Sequence, residues 1–189
     1  MRRQKISLII FGLTLILLRG CTDTPPVQPT TVLRPTPTPQ AVILVKPAGS
    51  IPATCTPTPV YFFGQNSDGL AIMPWIAATP SSSGIVAHLF FSQVASVNKP
   101  AYYEPMHTNG KMPDGGSTKI LWRINNASAI GEITITGKNL FRPGNTFRQT
   151  FVAASSGIPS IVDVPTAGCW RFNLVSGSDQ GTAIFWVLP

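Results

Sequence analysis

The stretch Val164–Phe172, VPTAGCWRF, constrains the fold of this chain more than any other. Pro165 and Gly168 carry the chemistry of a turn. Beyond Gly168 the side chains alternate, with Trp170, Phe172 and Leu174 on one face and Cys169, Arg171 and Asn173 on the other. A period of two is the mark of a half-buried antiparallel strand, with the tryptophan face turned to a core and the cysteine face turned outward. Such a strand needs partners. Leu70–Ala78, Ile85–Ser92, Lys119–Asn125, Glu132–Gly137, Thr146–Ala153, Ser160–Val164 and Thr182–Leu188 are short β-like runs with turn signals between them. Ile120, Trp122 and Ile124 share one face of their run, and Pro74 marks an edge or a bulge in its own. About eight short strands at even spacing predict an all-β fold, an antiparallel β-sandwich. The 19 prolines and 16 glycines point the same way, against a helical protein.

The 189 residues leave room for one domain plus appendages, and 43% hydrophobic residues suffice for a packed core. The appendages lie at the N-terminus. Arg2, Arg3 and Lys5 precede the apolar run Ile6–Leu18, which is too short to span a bilayer comfortably, so residues 1–20 read as an export signal. Leu18-Arg19-Gly20-Cys21 resembles a bacterial lipobox, with leucine three before the cysteine and a small residue just before it. Arg19 departs from the usual small or apolar residue of that motif. The resemblance implies lipidation of Cys21 and attachment to a membrane. The segment also fits an ordinary signal peptide, or an uncleaved anchor with an incidental cysteine. Residues 21–50 begin with the Thr/Pro-rich tract Thr22–Pro39, which cannot bury enough surface to fold and reads as a disordered spacer in extended polyproline II conformation. The brief apolar run Gln40–Lys46 reads as an accessory strand. The sandwich domain is assigned to residues 51–189.

The formal charge of +7 does not mark a nucleic-acid binder. Four of the 14 basic residues, Arg2, Arg3, Lys5 and Arg19, precede Cys21, leaving ten against seven acidic residues. The remaining cations are scattered along the sequence, without a basic stripe or an arginine run.

Further short patterns punctuate the domain: Cys55-Thr56-Pro57-Thr58-Pro59, Asp68-Gly69-Leu70, Asp114-Gly115-Gly116-Ser117 before Leu121-Trp122-Arg123, Glu132–Leu140 (EITITGKNL), and Pro165-Thr166 before Gly168-Cys169-Trp170. Together they resemble a family of uncharacterised bacterial secreted proteins and lipoproteins with an immunoglobulin-like domain, over roughly Cys55 to Pro189. The resemblance implies an immunoglobulin-like sandwich and no particular activity. Here no tryptophan follows Gly69-Leu70, and the 98–117 loop is unusually long. Immunoglobulin domains place an aromatic residue at a sharp corner two residues before an inward one. Trp170 and Phe172 have that spacing.

With Cys21 lipidated, Cys55 and Cys169 remain, and an exported protein rarely keeps two free thiols. A Cys55–Cys169 disulfide is expected, clamping the lead-in of the domain onto the outer face of the Trp170 strand; two buried free thiols are the alternative.

No catalytic constellation stands out. His88 lies in an apolar strand and reads as a core residue, while His107 lies in the long loop near Glu104 and Asp114, too sparse a set for a zinc site. The acids form no glycosidase-like motif, and Asp114-Gly115-Gly116 is a turn rather than a phosphate loop. The chain therefore reads as a non-enzyme without cofactor or metal. Loops as long as 98–117 are usually functional or disordered, and a floppy insertion is the alternative reading here. Tyr102, Tyr103, Met106 and His107 are its candidate interaction residues. The expected role is a lipid-anchored, extracytoplasmic binding domain for an envelope protein, wall polymer or glycan. A structural accessory subunit of an envelope complex and a hydrolase with an unrecognised site are the alternatives.

Overall fold

The computed structural model describes residues 43–63, 73–92, 102–124, 131–153 and 157–189. The export signal, Cys21, the Thr/Pro tract, Asp68-Gly69-Leu70 and the turn at 125–130 lie outside them. Among the described residues twelve strands run in chain order: β1 (Ile43–Pro47), β2 (Val60–Phe62), β3 (Trp75–Ala77), β4 (Ile85–Leu89), β5 (Tyr102–Tyr103), β6 (Met106–His107), β7 (Lys119–Ile124), β8 (Gly131–Asn139), β9 (Thr146–Ala153), β10 (Gly157–Ile161), β11 (Gly168–Ser176) and β12 (Asp179–Leu188). They form a seven-stranded sheet, β10-β7-β4-β3-β2-β1-β5, and a five-stranded sheet, β6-β12-β11-β8-β9. All pairings are antiparallel except β1 with β5 and β12 with β6.

The chain is an all-β antiparallel sandwich. Read in chain order, β12-β11-β8-β9 follow the G-F-C-C′ order of an immunoglobulin variable-type sheet, and β4-β7-β10 follow A-B-E. Strands β3, β2, β1 and β5 extend the second sheet beyond that plan. β1 belongs to the sheet through its pairing with β2, so the sandwich begins inside the segment assigned to the spacer, ahead of residue 51. The apolar run at 40–46 is the signal for it.

Alternation in the sequence becomes the core. Ile120, Trp122 and Ile124 of β7 face Ile133, Ile135, Trp170, Phe172 and Leu174 of the other sheet within one buried cluster. Each such large side chain contributes about 1.5–3 kcal/mol by leaving water. The indoles keep their polar edges bonded: Trp122 Nε1 donates to Ser160 Oγ at 2.9 Å, and Trp75 Nε1 donates to the Phe63 carbonyl at 2.8 Å. Trp170 Nε1 donates to the Thr166 carbonyl at 2.8 Å, four residues upstream. That bond back to the preceding turn is what the tyrosine of an immunoglobulin corner makes, so Trp170 holds the turn into β11 from within the core.

The outer edge of β12 is covered by three separate segments. β6 pairs with Val187 and Leu188. Thr58 N–H donates to the Ile184 carbonyl (2.9 Å) while Ile184 N–H donates to Thr58 Oγ1 (2.8 Å). Thr79 and Thr182 exchange both backbone hydrogen bonds at 2.8 Å. A long strand edge otherwise offers unpaired backbone groups to other chains. At the opposite edge, the Gln149 amide on β9 bonds the Asp163 backbone twice, donating to its carbonyl (2.9 Å) and accepting from its N–H (3.2 Å).

Cys55 and Cys169 form a disulfide across 114 residues of chain. Cys169 does lie on the face of β11 opposite Trp170, but it is not at the surface: the lead-in segment through Cys55 covers it, and both cysteines are buried.

Candidate functional site

The long loop does not form one sticky surface. Its described part is woven into both sheets: β5 pairs with β1 in one, and β6 pairs with β12 in the other. Of the four candidate residues only Tyr102, 60% exposed, stands free of the core. Tyr103 and Met106 are buried in the hydrophobic cluster, and burial pushes the Tyr103 phenol up to about 12. His107 is mostly covered. Its Nδ1 lies 2.7 Å from the Pro189 carbonyl, to which it donates, and its Nε2 lies 3.3 Å from Glu104 Oε1. The ring thus pins the end of β12 to β6. The expectation of a patch made by these four side chains is corrected, because a segment crossing between two sheets must turn its large side chains inward.

What the loop does present is its second half. Lys111 bridges to Ser117, and Met112 N–H donates to the Gly116 carbonyl at 3.0 Å. Asp114 Oδ1 accepts from Gly116 N–H at 2.8 Å, closing an Asx turn. This turn walls a groove of about 460 Å³ lined by Phe90, Phe91, Met112, Asp114, Gly116, Ser117 and Lys119. A second groove of about 430 Å³ is lined by Lys119, Phe151, Pro159, Ser160 and Ile161. Lys119, the first residue of β7, lines both. Its Nζ sits 5.4 Å from the centre of the Phe90 ring, within range of a cation–π contact.

The two grooves differ in chemistry. The first combines aromatic rings with one cation and one carboxylate, a lining that suits an amphipathic ligand. The second is mainly apolar, and Ile161 is 53% exposed at its rim. Asp114 and His107 do not come together with a third ligand: among the described residues no group of three His, Cys, Asp or Glu side chains could hold a metal ion. His88 is fully buried in β4, as a core residue would be.

Phe90, Lys119, Phe151 and Ile161 line the grooves without belonging to any motif in the sequence. One signal was there. Adjacent Phe90 and Phe91 cannot both face a core from one strand, so a change of path was required. The chain leaves β4 at Phe90 in a 3-10 turn, which keeps both rings at the groove. No protein-family model, curated protein or solved structure matches this chain.

Proposed function

We propose that this chain is a lipid-anchored, extracytoplasmic binding domain without catalytic chemistry, and that it holds its ligand along the grooves on either side of Lys119. The observation that carries the binding part is that one exposed cation is shared by two neighbouring grooves lined with Phe90, Phe91 and Phe151. Such a surface can stack on the apolar face of a sugar or side chain while the ammonium engages a polar group. The export part is supported by the Cys55–Cys169 disulfide, because disulfides persist in oxidising compartments. It is supported as well by the signal-like segment and lipobox-like Leu18–Cys21 in the sequence. The family of secreted proteins and lipoproteins that the sequence resembles agrees with this reading.

The apolar second groove favours one further reading, an accessory subunit that docks another envelope protein at Phe151, Pro159 and Ile161. One pair of experiments tests both. Palmitate labelling and fractionation of cells carrying the full chain should place the label in the membrane fraction, and Cys21→Ala should abolish it. Glycan-array binding by Phe90→Ala and Lys119→Ala should be weaker than wild type if the ligand is a sugar. Unaltered array binding by both variants, together with loss of a co-purifying envelope protein in Ile161→Asp, would favour the accessory subunit. An unlabelled wild-type chain would contradict the anchor.

A further inference from the structure

The outer face of the five-stranded sheet gathers cations that the sequence scatters. In the register of the sheet Arg171 of β11 lies directly opposite Lys138 of β8. Arg148 of β9 pairs with Thr136, two residues from Lys138 on the same face, which makes it the diagonal neighbour of Lys138. All three side chains are exposed. Directly opposed residues stand about 5 Å apart at Cβ and diagonal ones about 7–8 Å. Among the described residues none of the three has a carboxylate at ion-pair distance. The acid that shares this face on β8, Glu132, is six residues from Lys138, about 20 Å along the strand.

Two like charges directly opposite each other destabilise a sheet. Here no carboxylate among the described residues offsets them. Around the cations lie groups capable of hydrogen bonding, Thr134, Thr136, Thr150 and Asn173, with the Thr134 and Thr150 hydroxyls 2.9 Å apart, and two apolar side chains, Ile184 opposite Arg171 and Val175 opposite Thr134. At the other border of the cation group, the turn after β8 holds Phe141, 43% exposed, with its ring 6.3 Å from that of Trp186. That turn is fixed from below. The buried Asn139 side chain accepts hydrogen bonds from Phe141 N–H (2.9 Å) and Arg142 N–H (3.0 Å), so Phe141 and the further cation Arg142 are held beside the patch.

We propose that this face binds an acidic polysaccharide, laid across the strands with its carboxylate, sulfate or phosphate groups on Arg171, Lys138 and Arg148. Charge complementarity selects the anion. The threonine and asparagine groups meet sugar hydroxyls, and the exposed edge of Phe141 meets the apolar face of a ring. The cations lie in a row on a sheet face, which matches an extended polymer with repeated charges. This site is separate from the Lys119 grooves, which are lined by β7, β10, their neighbouring turns and Phe151. Phe151 shares β9 with Arg148 but lies on the opposite, core-facing side of the strand, and the site does not depend on a ligand binding in the grooves.

The test uses the purified full chain with alginate, dextran sulfate, uncharged dextran and a single-stranded DNA oligonucleotide as probes. Wild type is expected to bind alginate and dextran sulfate but not dextran, with affinity falling as salt rises. The triple variant Arg171→Gln, Lys138→Gln, Arg148→Gln should lose about tenfold or more in affinity, as three exposed charge contacts imply. The double variant Lys46→Gln, Lys111→Gln, which removes exposed cations elsewhere, should bind as wild type does. Arg171→Gln or Lys138→Gln alone should melt at a temperature equal to or above wild type, because each relieves the opposed pair. These single variants carry the test if the triple variant does not fold. Equal losses in the triple and control variants, unchanged binding in the triple variant, or DNA binding as tight as alginate and lost with the same residues would each overturn the proposal. Failure here leaves Phe90→Ala and Lys119→Ala to report on the grooves separately.

Discussion

The ring of Phe147 lies over Gly137, its cross-strand partner in the β8–β9 pair, so closely that a Cβ on Gly137 would fall 2.1 Å from Phe147 Cε1. The ring occupies the space a side chain at 137 would need, and from there it reaches Trp170 (5.4 Å between centroids) and Phe172 (5.2 Å, edge to face). A glycine inside a strand thus lets an edge-strand aromatic complete the core.

Gly137→Ala should destabilise the domain by about 1–3 kcal/mol, the usual cost of overpacking. In urea titrations the double variant Gly137→Ala, Phe147→Ala should be less destabilised than the two single changes summed, because the clash vanishes with the ring. Additive losses would mean the ring can move aside without cost.

Asn139 is fully buried, and its amide serves two turns at once: it accepts from Phe141 and Arg142 N–H and donates to the Ala167 carbonyl at 3.3 Å. Gly168 approaches it with φ +134°, and a Cβ there would lie 2.8 Å from the Asn139 amide nitrogen. Asn139→Ala leaves several backbone groups without their partner and should cost about 1–3 kcal/mol in chemical denaturation. Gly168→Ala should also destabilise, through both the backbone angle and the contact.

Tyr103 supplies the pH dependence. Its phenol is raised from 10.0 to about 12 by burial, so the folded state holds the proton where the unfolded chain has released it. The unfolded state therefore binds fewer protons between about pH 10 and 12, and stability falls as pH rises through that window. The contribution is whole below pH 10 and amounts to about 2–3 kcal/mol. Tyr103→Phe should flatten the fall in stability between pH 10 and 12 while leaving the slope near neutrality unchanged.

The strands were legible where the period of two was clean. β9 was readable to its exact ends, and β7 and β11 to their buried faces, because one side of each meets the core and the other meets water. The disulfide partners were legible because setting Cys21 aside as the expected lipidation site leaves one pairing among the three cysteines. The loop at 98–117 was not, because a segment crossing between sheets has no period to read: Tyr103 and Met106 look like a surface patch in sequence and are core in the fold. The grooves were hidden for a related reason. Lys119 of β7 and Phe151 of β9 are more than 30 residues apart and belong to different sheets, so the packing of one sheet against the other brings them to one groove. Register within the five-stranded sheet assembles Lys138, Arg148 and Arg171 from charges that look dispersed.

The most direct test of the whole account is a mass measurement on the chain extracted from cell envelopes, alkylated without reduction and digested. A linked peptide pair containing Cys55 and Cys169, neither alkylated, is expected, with Cys21 carrying a lipid mass. On chain-entropy grounds, Cys55→Ala with Cys169→Ala should then lower stability by about 4–5 kcal/mol. Alkylated Cys55 and Cys169 in the extracted protein would contradict both the clamp on the outer face of β11 and the oxidising location inferred from it.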